Sequence, residues 1–317
     1  MNKLFAILIA ALFCLTLTVP ALAEEEIYHV GICQLVQHSA LDNAAKGFKD
    51  ALSGLLGDRV VFHEQNASGD VGTCIAVVNS LIAEEVDLIV ANSTPALQAA
   101  HVSTGEIPIL GVSITDYAAA LDYDTWNGVT GINISGTSDL APLDGQTGLI
   151  AEMFPEADEV GLLYCSSEAN AIYQIGIMKD YLTEMGYACT EYAFTDTNDV
   201  TPVAQTACAA SDVVFVATDN TVAACAEAVR NAVEIERTAI IGGDEGICFG
   251  CGVATICANY YDLGYTTGEM AYEVLVNGAD VADMPIRFAS EFSKVYNPEM
   301  AEYLGIAAPE GYTPIGG

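Results

Sequence analysis

Short apolar runs alternate along this chain with longer stretches in which apolar positions recur every three or four residues. The runs at 27–33 (IYHVGIC), 86–91 (VDLIVA) and 107–112 are mainly apolar, and 60–64 reads as a further strand. That is the pattern of strands covered on both sides, as in a parallel sheet. The segments between them, 40–56, 71–84 and 96–103, carry a helical period. After a polar, aromatic segment at 117–127 the pattern expects a strand at 129–134. A second series follows, with strands at 160–164, 188–194, 213–217 and 239–241 and helices at 172–185, 200–209 and 222–233. The chain then adds a strand at 252–258, a helix at 262–276, an extended piece at 284–288 and a short helix at 298–304.

The two series repeat one another. VGICQLVQHSA matches VGLLYCSSEAN, VDLIVANSTPALQAA matches DVVFVATDNTVAACA, and IPILGVSITD matches TAIIGGDEG. Repetition at this scale, with strands and helices alternating, predicts an α/β protein of two Rossmann-like three-layer lobes with parallel sheets. Each strand ends on a polar cluster, and carboxyl ends of parallel strands are where α/β folds bind ligands. The clusters supply the candidate site: Gln37 and His38 after the first strand, Ser93 and Thr94, Thr115 and Asp116, then Ser166, Ser167, Glu168 and Asn170, Asp219, Asn220 and Thr221, and Asp244. If the lobes face each other, these residues line one cleft.

Residues 1–23 read as an export signal: Lys3, an apolar run over 4–19, and Ala21-Leu22-Ala23 as a small-x-small cleavage site. Removing them takes away one base and no acid, leaving 43 acids and a net charge one unit below the whole chain's −34. That charge repels nucleic acid and anionic lipid. A hydrophobic fraction of 52% still argues for folded lobes. Nine cysteines remain, an odd number that argues against a complete disulfide framework. Cys248-x-x-Cys251 has no second CxxC or HxxxH beside it, so no metal and no cofactor is expected. Cys33 and Cys165 end equivalent strands, as in a two-cysteine racemase, but only His38 is near as an activating base. A binding protein is therefore expected rather than an enzyme.

The arginines, Arg59, Arg230, Arg237 and Arg287, all fall outside the strand-end clusters. A carboxylate ligand would then rest on backbone N–H groups and the hydroxyls of Ser93, Thr94, Thr115, Ser166 and Ser167, which also suit helix capping. Asp219 and Asp244, followed by Glu168, are the candidate partners of an ammonium group, and Asn170 and Asn220 can orient either end. Gln37 and His38 can touch the ligand side chain, and Tyr117, Tyr123 and Trp126 can stack on an aromatic one. Hydroxyls for a carboxylate and acids for an ammonium describe a free amino acid. A sugar is the nearest rival.

The segments GICQLVQHSAL, ANSTPA, Thr115-Asp116, GLLYCSSEAN, ATDNT, Gly243-Asp244 and YYDLGYTTG together resemble the ABC-transporter substrate-binding proteins of the tryptophan- and aromatic-amino-acid-binding type. Tyr117 stands where that family usually has Pro. The resemblance implies the type I periplasmic-binding-protein fold, hinged, with 24–139 and 260–287 as the N-terminal lobe and 140–259 and 288–317 as the C-terminal lobe. It implies a monomeric receptor that is periplasmic, or held outside the membrane where the host has no outer membrane. Such a receptor hands an amino acid to an ABC permease. A ligand sensor on the same fold remains open at this point.

Overall fold

The computed structural model describes residues 26–123 and 127–315. The export signal and Trp126 lie outside them. The first lobe runs β1 (Tyr28–Gln34), α1 (Ser39–Leu56), β2 (Val60–Asn66), α2 (Val71–Ala83), β3 (Leu88–Asn92), α3 (Thr94–Ser103), β4 (Ile109–Ile114), α4 (Tyr117–Leu121) and β5 (Ile134–Ser138). The second runs α5 (Leu143–Met153), β6 (Glu159–Cys165), α6 (Ala169–Glu184), β7 (Ala188–Phe194), α7 (Val200–Ala210), β8 (Val213–Val216), α8 (Asn220–Ala224), α9 (Ala226–Glu236), β9 (Ala239–Gly242), α10 (Glu245–Gly250) and β10 (Ala254–Cys257). The chain closes with α11 (Tyr260–Leu275), β11 (Arg287–Phe288), β12 (Ser293–Tyr296), α12 (Pro298–Leu304) and β13 (Thr313–Pro314).

Two sheets result, ordered β11-β5-β4-β3-β1-β2 and β13-β12-β10-β9-β8-β6-β7. Their first five strands share one arrangement, β2-β1-β3-β4-β5 against β7-β6-β8-β9-β10, and within each set every pairing is parallel. The internal repeat read from the sequence is thus a repeat of topology. β12 runs antiparallel to β10. The chain passes between the sheets three times, after β5, after β10 and between β11 and β12.

The apolar strands are buried on both faces. Val30 and Ile32 pack with Phe48 and Leu52 of α1 on one side of the first sheet. Ile89 and Leu97 pack with Val78 and Leu81 of α2 on the other. α11 returns from the second lobe to lie along α1, backbone to backbone. A Cβ on Gly264 would sit 2.0 Å from the Ala44 carbonyl oxygen, and one on Gly47 at 2.0 Å from that of Tyr261. Glycine at both positions is what lets the two helices meet so closely.

Three expectations shift. The strand placed at 129–134 is β5, further along, and its sequence ISGTS is polar. It is buried because its hydroxyls are used: Ser135 donates to the Met284 carbonyl at 3.0 Å, Thr137 pairs with Thr267 at 2.9 Å, and Ser138 donates to the Thr115 carbonyl at 2.8 Å. The helix expected at 222–233 is two helices, α8 and α9, broken at Cys225. Residues 245–250, to which the sequence assigned no helix, form α10, and Cys251 and Gly252 follow its end. All nine described cysteines are free thiols. Among the described residues, no helix is long and apolar enough to cross a membrane.

Candidate functional site

The strand ends of the two sheets face each other across a gap. In the first lobe, Ser93 sits at the end of β3 with φ 119°, an unusual conformation for a residue with a side chain, and is fully buried. Its hydroxyl caps α3 by accepting the Ala96 N–H at 3.3 Å. Thr94 opens that helix, and its buried hydroxyl has no protein partner. Thr115 is buried, and Asp116 caps α4 by accepting the Ala119 N–H at 2.7 Å. Asn92 braces these loops, donating to Gln34 and the Leu41 carbonyl and accepting from Ser113 at 2.9 Å. Gln37 is exposed.

In the second lobe, Glu168 is a buried carboxylate at the entry to α6. It accepts hydrogen bonds from Asn170 Nδ2 (3.1 Å), the Asn220 N–H and Nδ2 (3.1 and 2.6 Å) and the Thr221 N–H and hydroxyl (2.8 and 2.7 Å). It therefore ties the SSEAN loop to the TDNT loop. Asp219 caps α8 through the Val222 N–H at 2.9 Å and takes the Cys165 N–H at 2.6 Å. Burial and the neighbouring Glu168 hold its carboxyl well above the usual range. Ser166 and Ser167 spend their hydroxyls on the carbonyls of Phe194 and Thr195, at 3.0 and 3.1 Å. Asp244 caps α10 through the Ile247 N–H at 2.9 Å, and burial pushes its carboxyl up to about 7.

Two residues absent from the sequence-derived set join this group. Asp139 follows β5 at the first crossing between the sheets, where it is buried and raised by desolvation. Its Oδ2 accepts from Tyr260 at 2.9 Å, while Oδ1 has no protein partner. Its charge reaches Asp244. Tyr260 opens α11 just after the second crossing. Both sit at the crossings rather than in strand-end clusters matched by the repeat, so repetition gave no pointer to them.

The lobes touch on both flanks of the gap. Tyr173 of α6 lies against Asp116 at the start of α4. A Cβ on Gly246 would lie 2.7 Å from the Ser39 hydroxyl oxygen. Between them, His38 Nε2 meets Asn220 Oδ1 at 3.2 Å. A cavity of about 470 Å³ opens alongside, lined from one lobe by Leu35, Val36 and Asp70 and from the other by Ser167, Thr221 and Cys225. Tyr117, offered by the sequence as a stacking ring, is instead buried, with its hydroxyl on the carbonyls of Gly111 and Thr137 at 3.1 and 3.2 Å. Among the described residues no group of three or more His, Cys, Asp or Glu side chains is placed to hold a metal ion.

Residues 29–313 match the family model described as ABC transporter substrate binding protein. The chain belongs to that family. A curated relative, the tyrosine-binding protein of Clostridioides difficile strain R20291, is 32% identical over 279 residues, 87% of this chain and 80% of the relative. The structure of an ABC domain in complex with L-Trp from Streptococcus pneumonia is 30% identical, covers 90% of this chain and 97% of its own, and superposes with a TM-score of 0.85. A substrate-binding protein with adhesive properties from Clostridium difficile, in a ligand-free, open structure, is 32% identical over 91% of this chain and 99% of its own, with a TM-score of only 0.69. The fold is that of the type I periplasmic binding proteins, and proteins of this family work outside the cytoplasm.

Proposed function

We propose that this chain is the receptor of an ABC importer, that it closes on a free amino acid with an aromatic side chain, and that it delivers this ligand to the permease. The observation that carries the reading is the chemistry of the gap. The first lobe presents buried hydroxyls, the start of α3 and, at the crossing, the buried Asp139, and the second presents buried carboxylates. No arginine or lysine joins any of the hydrogen bonds described there. The relatives named for tyrosine and crystallised with L-Trp support an aromatic side chain.

In this reading the ligand carboxylate rests on the N-terminal end of α3, with the hydroxyls of Thr94 and Thr115 beside it. The ammonium sits between Asp244 and Asp139, whose raised carboxyls ionise once a cation arrives. Glu168 and Asp219 already accept protein donors at both oxygens. Their part is to hold the loops. Binding is a hinge closure between units that follow the two sheets, 24–139 with 260–287 and 140–259 with 288–317. The protein acts as a monomer, released from its export signal after Ala23.

Binding rather than turnover fits the two strand-end thiols. Cys33 is fully buried against Cys74, which raises its thiol, and burial raises Cys165 as well. Neither offers a thiolate. Thermal-shift and calorimetric screening of the proteinogenic amino acids beside a panel of sugars tests the proposal. Tryptophan, tyrosine or both should bind, and a blank for every amino acid with a clear sugar hit would replace this reading with the rival one.

A further inference from the structure

His38 and Asn220 enter from the sequence as ligand contacts, yet the structure bonds them to each other across the gap. The network around them fixes every hydrogen. Asn220 Nδ2 donates to Glu168 Oε2 at 2.6 Å, so its Oδ1 is the atom that faces His38. Oδ1 can only accept, which makes His38 Nε2 the protonated nitrogen and leaves Nδ1 as a bare lone pair. That Nδ1 is sealed from water and has no partner. The acceptor is itself anchored, because Glu168 also holds the Asn220 N–H and both donors of Thr221.

We infer that His38 and Asn220 form a latch that holds the closed lobes together, and that the latch works with neutral His38 only. A second proton would go on Nδ1, where the closed structure offers neither an acceptor nor water. In the open protein the ring is free to be solvated and to titrate normally. Closing must therefore strip that proton, and acid opposes closure. Burial lowers His38 from its ordinary 6.5, while Asn220, Glu168 and Asp42 act in the opposite direction and are outweighed. His38 is thus a positioning residue for closure and retention, not a contact that chooses the ligand.

This inference uses the proposed function only for its probe. Affinity and dissociation rate for L-tryptophan and L-tyrosine are measured at pH 7.5 and 5.5 in the wild type, His38→Ala, His38→Gln, Asn220→Ala and the double alanine variant. Each alanine should weaken binding about five- to tenfold, mostly through faster release, with the double variant no worse than either single one. Gln keeps a donor in place of Nε2 and cannot titrate, so His38→Gln should recover most of the lost affinity. It should also lose the part of the acid weakening that His38 causes, up to about tenfold between the two pH values. Additive alanine effects, or an unchanged pH profile in His38→Gln, would overturn the latch. If the wild type binds neither amino acid, the receptor reading fails instead. The latch is then judged on the ligand-free chain by small-angle scattering, where Asn220→Ala must expand relative to the wild type and an unchanged radius of gyration refutes it.

Discussion

Ser93 and Asp219 hold equivalent positions in the two lobes. Each ends the third strand of its series and caps the helix that follows, through the Ala96 N–H at 3.3 Å in one case and the Val222 N–H at 2.9 Å in the other. Asp116 and Asp244 form a second such pair, capping α4 and α10. The chemistry differs where the topology does not. The first lobe buries its neutral cap and leaves its charged cap half-buried, whereas the second buries both charges and Glu168 besides. Capping alone does not require that, because a hydroxyl caps about as well as a carboxylate. Five protein donors satisfy Glu168 and two main-chain N–H groups satisfy Asp219. Asp244 is held by main-chain N–H groups alone, and burial takes it to about 7. On this account the start of α3 in the first lobe binds the anion, and Asp244 of the second lobe binds the cation together with Asp139 of the first.

The comparison breaks most visibly at Asp244. Asp244→Asn keeps an N-cap but removes the charge, and should weaken amino-acid binding by about 2–5 kcal/mol in calorimetry. Loss of less than about threefold in affinity, a fraction of a kcal/mol, would strip Asp244 of the ammonium role. The same residue should mark the pH dependence of the ligand-free protein. Its folded value, about 7, lies above its ordinary 3.8, so the folded chain keeps a proton that the unfolded chain gives up between those values. This group therefore favours folding in acid and costs stability as pH rises through the window, by on the order of 4 kcal/mol. Denaturant unfolding at pH 5 and pH 8 should show Asp244→Asn gaining on the wild type at the higher pH. Parallel profiles would contradict the assignment.

Exchanging the caps gives smaller effects. Asp219→Ser borrows the first lobe's solution, leaves the Cys165 N–H without its acceptor and should cost about 1–2 kcal/mol of stability. Ligand affinity should stay within about threefold, a difference below 1 kcal/mol, and a large loss would make Asp219 a ligand contact after all. The least effect is expected at Cys248 and Cys251. Both are buried with raised thiols. Alanine at both should leave affinity unchanged, although removing buried sulfur costs some stability.

Much of this molecule was legible because its central strands β1, β3, β4, β6, β8 and β9 are largely apolar and its two halves repeat. Positions 188–194 and 298–304 are read from sequence with the bounds the structure gives. β5 was misplaced because ISGTS carries no apolar signal, its burial resting on hydroxyl bonds to partners such as Met284 and Thr267 that lie far along the chain. β12 and β13 went unread for a related reason. The strands are short pairings at a sheet edge, and such pairings leave little periodicity to detect. The strand-end clusters identified which loops meet, but not how their side chains divide the work. Sequence alone does not distinguish a carboxylate that accepts five protein donors from one that has few. Asp139 and Tyr260 were missed because they stand at the crossings, outside the repeat.

One titration tests the central claim most directly: L-tryptophan and L-tyrosine against their N-acetyl derivatives, by calorimetry on the mature chain at neutral pH. Lobes that share a zwitterion between hydroxyls and carboxylates should bind at least one free amino acid and reject its N-acetyl form. Equal binding of the blocked and free amines would show that the buried carboxylates hold no ammonium, and the division of labour between the lobes would fall with it.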